Sequence, residues 1–286
     1  METFTRADGV RIRFTDQGDG LGVFLAHGQN WSHAAYDPQV PALVAAGYRA
    51  IAVDRIGRGA SDTGTTRFSG TREARDYWDL LTSVGVERAV LVGHSSGSGL
   101  IQVMYRIQPD RVLGLVSIDS TSFGKLTDRP ADTLVPDAPV DSGLDPRFDA
   151  ETLVAYHRNK ATLRKLGRLW DHPSDLNTKM LVEAEAHKRE NAARWAALVP
   201  DPDAGSLPEP PPGRWCRVPL LIVTAGRGRI APDDPEVDAV RDGSVSDDTT
   251  VLVVKNSGHW VHWEATERFN ATLLEFLSHV RSVHGF

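Results

Sequence analysis

The segment Ala89-Val90-Leu91-Val92-Gly93-His94-Ser95-Ser96-Gly97-Ser98-Gly99 places Ser95 at the centre of Gly-x-Ser-x-Gly, directly after an apolar run. Between a strand and a helix this spacing makes a sharp turn whose central side chain stands in the open. Gly93 and Gly97 remove the side chains that would collide across it. A hydroxyl so presented can attack a carbonyl once an imidazole takes its proton. The candidate base is His259, in Asn256-Ser257-Gly258-His259-Trp260-Val261-His262-Trp263-Glu264. It follows the last strand-like run and precedes the last helix-like one, so it is expected on the same sheet edge as Ser95. The N–H of Ser96, at the start of a helix, is expected to face a developing oxyanion. A second donor is expected in His27-Gly28-Gln29-Asn30-Trp31, where Gly28 lets the backbone approach closely and the N–H of Gln29 points into the site. His27 is expected to bond loop backbone rather than to act as base, and His262 to serve packing or surface.

Short β-branched runs must position these residues. Residues 12–15 alternate and stop at Asp16-Gln17-Gly18-Asp19-Gly20, which reads as a hairpin turn. Runs at 22–26, 48–53, 89–92 and 112–118 are continuously apolar, as suits strands buried on both faces. Helix-like stretches at 40–46, 72–84 and 97–107 alternate with them. That alternation predicts an α/β fold with a doubly wound, mostly parallel sheet. Residues 123–215 lack convincing strands and carry helix-like stretches at 150–168 and 177–198. Strand signals return at 219–224 and 250–255, and an amphipathic stretch at 267–280 closes the chain. The expectation is one core domain in two pieces, 1–122 and 216–286, interrupted by a helical insertion at 123–215.

Composition removes several function classes. The chain has 286 residues and a single cysteine, Cys216, so no internal disulfide can form. Lys and Arg number 32 against 38 Asp and Glu, a net charge of −6. An acidic chain without a basic excess is a poor ligand for nucleic acid or anionic membranes. The N-terminus carries Glu2 and Asp8 where a signal peptide needs basic and apolar residues, and no apolar run approaches the ~20 residues of a bilayer span. A cytoplasmic protein without membrane attachment is expected. No His-Glu-x-x-His or clustered Cys/His set suggests a metal. Neither Gly57-Arg58-Gly59 nor Gly226-Arg227-Gly228 has the full spacing of a phosphate loop, so no cofactor is expected.

The His-Gly loop, the segment Asp54-Arg55-Ile56-Gly57-Arg58-Gly59-Ala60-Ser61-Asp62, the Gly-His-Ser-Ser-Gly elbow and Gly258-His259-Trp260-Val261-His262-Trp263-Glu264 together resemble the α/β-hydrolase superfamily. The match covers nearly all of the chain except the insertion. The resemblance implies that residues 123–215 form a cap over the active site and that the 54–62 stretch is a structural turn. It also excludes branches that use an aspartate nucleophile, such as epoxide hydrolases and haloalkane dehalogenases, because residue 95 is serine. The third triad member departs from the common pattern, in which an acid follows the strand after the cap; Arg229 occupies that place. Some members carry the acid at the end of the strand before the cap, and Asp119 in Val116-Ser117-Ile118-Asp119-Ser120 fits it. Asp233 and Asp234 remain open as alternatives.

These readings converge on a serine hydrolase with Ser95, His259 and Asp119 as triad, Gln29 and Ser96 as oxyanion donors, and a small apolar or aromatic ester or lactone as substrate. Trp31, Trp170 and Trp195 are candidates to line its pocket. A cofactor-free dioxygenase, a C–C bond hydrolase on the same residues, or a non-catalytic ligand receptor are the alternatives. Substrate identity and oligomeric state are not encoded in any motif.

Overall fold

In the computed structural model the described residues are 1–29, 31–63, 67–120, 199–200, 216–226 and 246–286. Aliphatic runs set the centre of the fold. Strands β1 (Glu2–Thr5), β2 (Arg11–Gln17), β3 (Leu21–Ala26) and β4 (Tyr48–Val53) come first, followed by the two-residue β5 (Arg67–Phe68). Next are β6 (Ala89–His94), β7 (Val112–Ile118), the two-residue β8 (Val199–Pro200), β9 (Leu220–Ala225) and β10 (Thr249–Val254). The strands β6, β7 and β9 are buried along their whole length, which is why they read as unbroken apolar runs. Strand β2 alternates instead: Ile12 and Phe14 face the core while their neighbours face outward.

Eight strands form one sheet in the order β1-β2-β4-β3-β6-β7-β9-β10. From β4 to β10 all neighbours are parallel; β1 and β2 are antiparallel additions at one edge. Helices α1 (Val40–Ala45), α2 (Gly70–Ser83), α3 (Ser96–Ile107), α4 (Val261–Glu264) and α5 (Thr266–His284) cover it. Because strand side chains alternate, the sheet feeds two cores. Phe24, Leu91, Leu115 and Ile222 join Tyr77, Trp78, Ile101 and Met104 of α2 and α3 on one face. On the other face Val23, Leu25, Val92 and Leu221 join Leu43 of α1 and Phe269, Leu273 and Leu277 of α5. Local signals bound the helices. Ser69 caps α2 by accepting the Arg72 N–H, and Gly285 ends α5 in a left-handed conformation at φ 73°.

The sheet order reverses between β3 and β6. From β3 the chain moves outward to β4, then returns to lay β6 on the other side of β3. Loops leaving the carboxyl ends of β3 and β6 therefore diverge, opening the crevice where α/β sheets bind ligands. His27 to Gln29 leave one of those ends and Ser95 the other; in register, Ala26 faces Gly93.

The strands and helices expected in the core are present, β4 and β7 with the expected bounds and the others with ends moved by at most four residues. The hairpin reading of residues 16–20 is corrected: β4 lies between β2 and β3, so that turn joins strands that do not pair. Strand β2 finds its sequence neighbour in β1 instead, a four-residue strand too short and too charged to register as a pattern. The expected insertion, with its helices and with Trp170 and Trp195, lies outside the described residues except for 199–200. Those two residues form β8, parallel to β5, where no strand was expected.

Packing of α3 against the sheet leaves no room at the elbow glycines. A Cβ on Gly97 would strike the Ala26 carbonyl oxygen, and one on Gly93 the Gly97 carbonyl, all backbone atoms that cannot rotate aside. Gly97→Ala is expected to cost about 1–3 kcal/mol, as overpacking does, read as a lower denaturant midpoint with an unchanged slope.

Candidate active site

Ser95 connects β6 to α3 with φ 52° and ψ −121°, a conformation that L residues avoid. The strain, about 1–3 kcal/mol, persists only because surrounding structure over-determines it. Its N–H donates to the Ile118 carbonyl at 2.9 Å, its carbonyl accepts from Ser98 N–H at 3.0 Å, and Ser98 Oγ donates to the Gly93 carbonyl at 2.7 Å. Asp119 is the other non-glycine residue with positive φ among those described, at 41°. The two strained residues lie at the ends of adjacent strands.

Asp119 follows β7 and is completely buried. Its N–H donates to the Val223 carbonyl at 2.8 Å and its Oδ1 accepts from Ala225 N–H at 3.3 Å, so the end of β9 holds it from both sides. Its Oδ2 lies 2.6 Å from His259 Nδ1. A carboxylate accepts here, so the Nδ1 proton is on the imidazole and Nε2 carries the lone pair. His259 is 6% exposed, in the loop between β10 and α4. No hydrogen bond joins its ring to Ser95 Oγ. The two loops are tied instead by His94, whose Nε2 is 2.9 Å from the His259 carbonyl and whose ring lies 4.5 Å from that of His259.

The loop after β3 comes close to the elbow. A Cβ on Gly28 would lie 3.3 Å from Ser95 Cβ and 3.1 Å from His94 Nδ1. His27 is fully buried and uses both ring nitrogens: Nε2 accepts the Arg55 N–H at 3.0 Å, so Nδ1 is the donor to the Gly28 carbonyl at 2.6 Å. Burial, with Arg55 beside it, holds His27 neutral, its pKa far below the usual histidine range. It binds loop backbone, as the sequence reading expected. The Gln29 carbonyl accepts from Arg58 Nε at 2.7 Å. Trp31 is buried in the core, 5.8 Å from the Trp260 ring, so most of its surface serves packing. Arg229, Asp233 and Asp234 lie outside the described residues.

Asp54 and Asp62 act within the turn. Asp54 Oδ1 accepts from the His33 N–H and lies 2.7 Å from His33 Nδ1, while Oδ2 accepts from Ala60 N–H. Asp62 pairs with Arg11 of β2. His262 is fully buried beside Tyr36 and His94, and burial next to His259 pushes its pKa down to about 3. Sequence reasoning missed a buried polar cluster, Arg55 with Glu73 and Tyr77. Its one legible signal was Glu73 on the apolar face of a helix, four residues before Tyr77. Among the described residues, no group of three or more His, Cys, Asp or Glu side chains is placed to hold a metal ion. Among them, too, no helix is long and apolar enough to cross a membrane.

A strained serine between β6 and α3, a carboxylate at the end of β7 bonded to a histidine in the loop after β10, and the loop after β3 gather at the carboxyl ends of a doubly wound sheet. The model of the alpha/beta hydrolase family matches residues 23–272, and the chain belongs to that family. A 2-hydroxy-6-oxononadienedioate/2-hydroxy-6-oxononatrienedioate hydrolase of Burkholderia vietnamiensis is 27% identical over 289 residues, spanning 94% of this chain and 91% of the relative. The bifunctional epoxide hydrolase 2 of Sus scrofa is 34% identical over 114 residues, 39% of this chain. The chain spans 20% of that protein's length and 45% of that of a non-heme chloroperoxidase of Streptomyces lividans. The structure of a thermophilic esterase from Thermogutta terrifontis superposes with a TM-score of 0.70 at 21% identity, covering 98% of this chain and 99% of the other.

The buried histidines set a pH dependence of stability. His27 and His262 are neutral when folded but titrate near the ordinary 6.5 when unfolded. The unfolded chain therefore binds more protons below 6.5. Their contribution is complete above that pH and is lost as pH falls below it, for His262 down toward about 3. His33, raised by Asp54, works in the opposite sense, being stabilising below 6.5. The urea midpoint is expected to fall between pH 7 and pH 5, and more shallowly in His262→Leu.

Proposed function

We propose that this chain is a serine hydrolase acting on a carboxylic ester or lactone of a small apolar or aromatic compound, without a cofactor. The observation that carries the reading is the 2.6 Å bond from His259 Nδ1 to Asp119, on strand ends beside the strained Ser95. In the mechanism Ser95 Oγ attacks the substrate carbonyl as His259 Nε2 takes its proton. Asp119 holds the Nδ1–H tautomer and stabilises the imidazolium that forms. The N–H groups of Gln29 and Ser96 receive the negative charge of the tetrahedral intermediate. His259 then gives its proton to the leaving alcohol oxygen, leaving an acyl-enzyme. A water molecule, deprotonated by His259, attacks the acyl carbon; Ser95 regains its proton as the acid departs. For a lactone the alcohol and acid are one molecule and leave together.

The second reading is hydrolysis of a carbon–carbon bond in a diketone by the same residues. The relative from Burkholderia vietnamiensis, named as a 2-hydroxy-6-oxononadienedioate hydrolase and matched along 94% of this chain, supports it. The leaving group would then be a carbanion protonated in the site rather than an alkoxide.

Intact-mass labelling with a fluorophosphonate tests the common core of both readings. One adduct on the wild type is expected, absent in Ser95→Ala and formed ~10⁴-fold more slowly in Asp119→Asn. Fast labelling of Asp119→Asn would move the acid to Asp233 or Asp234. A folded wild type that takes no label, or oxygen-dependent turnover that survives Ser95→Ala, would sink the serine mechanism.

A further inference from the structure

An ion pair lies buried beneath the oxyanion loop. Arg55, in the turn after β4, forks onto Glu73 of α2, with Nε to Oε1 at 3.0 Å and Nη2 to Oε2 at 2.8 Å. The side chains are 6% and 1% exposed. Tyr77, one helical turn on, donates its hydroxyl to Glu73 Oε1 at 2.9 Å and accepts the Ile56 N–H at 3.1 Å. Glu73 keeps its charge because Arg55 and these donors offset the burial that opposes it. Packed apolar side chains would fill this space at no desolvation cost, and a buried pair is weak evidence for stability. The remaining bonds of Arg55 lead to the site.

Arg55 Nη1 donates to Ser96 Oγ at 2.9 Å and reaches the His27 carbonyl at 3.4 Å. The Arg55 main-chain N–H donates to His27 Nε2 at 3.0 Å, which puts the ring proton on Nδ1 and so onto the Gly28 carbonyl at 2.6 Å. That carbonyl belongs to the same peptide unit as the Gln29 N–H. In a trans peptide the two groups point in opposite directions, so drawing the Gly28 oxygen toward the His27 ring turns the Gln29 N–H away from it. One residue thus grips both peptides proposed to receive the oxyanion: that of Gln29 through His27, and that of Ser96 through its hydroxyl.

We propose that Arg55, anchored by Glu73, is a positioning residue that holds the two oxyanion donors of the serine-hydrolase site in their converging geometry. The inference rests on that reading of the site. Preorganised donors stabilise a transition state without reorganising, so their loosening lowers the chemical step and leaves ground-state binding intact.

The test separates the rate constant for fluorophosphonate labelling of Ser95 from the affinity of the reversible encounter, each corrected for the folded fraction. Ser96→Ala keeps the Arg55–Glu73 pair and the Ser96 N–H while removing only the hydroxyl. It is expected to lower the labelling rate constant ~10-fold with unchanged encounter affinity, and Ser96→Thr to recover most of the loss. Arg55→Lys keeps a charge for Glu73 but not the fork, and is expected to lose ~10²-fold, below the ceiling for complete removal of one donor. Because Arg55→Lys already removes the bond to the Ser96 hydroxyl, adding Ser96→Ala to it should lower the rate constant no further. Wild-type labelling constants in both folded single variants, or a loss confined to encounter affinity, would overturn the proposal while leaving the hydrolase reading in place. A folded wild type that is not labelled at Ser95 would overturn both.

Discussion

The packing of α3 against the ends of β3 and β6 is the constraint from which the site follows. With glycines at 93 and 97 the helix closes to backbone contact with the sheet, nearer than any side chain permits. The chain must then reverse from strand to helix in one residue. Ser95 takes the positive φ that this demands, held by its N–H bond to the Ile118 carbonyl and by the Ser98 N–H donating to its own carbonyl. The strain is stored at Ser95 and is offset by packing elsewhere. The same closeness lets the loop after β3 approach the elbow across Gly28, so the prospective nucleophile and donors are set by one packing event.

Around this centre several buried histidines make directional hydrogen bonds. His27, His94 and His259 each bind main chain or carboxylate, and the bonds specify which ring nitrogen carries the proton. Burial keeps His27 and His262 neutral, so His262 brings no positive charge near His259. Nearby, Arg55 and Glu73 satisfy each other while Arg55 also reaches Ser96 and the His27 carbonyl. Such an arrangement spends stability on geometry, as active sites do.

Membership of a family whose relatives include an esterase, an epoxide hydrolase and a carbon–carbon hydrolase leaves substrate choice to the parts that differ among them. A shared fold supplies the elbow, the histidine loop and the crevice; it does not decide which bond is cleaved.

Most of the fold was legible because its signals are local. Buried parallel strands read as apolar runs, helices as periodic stretches, the elbow as Gly93 and Gly97 flanking Ser95, and the Gly28 loop as a glycine just after a strand. Where the signal was short or shared, it failed: β1 is four residues long, and the turn at 16–20 has hairpin residues without a hairpin partner. By itself the sequence determined the class of fold, the serine elbow and the histidine loop after the last strand, since each depends on backbone geometry written into adjacent residues. Only the tertiary structure decided that Asp119 meets His259 across 140 residues, that His262 is an uncharged packing ring, and that Arg55 reaches Glu73 below and Ser96 above. Those contacts depend on strand order and on the depth of each side chain, quantities that no spacing along the chain encodes.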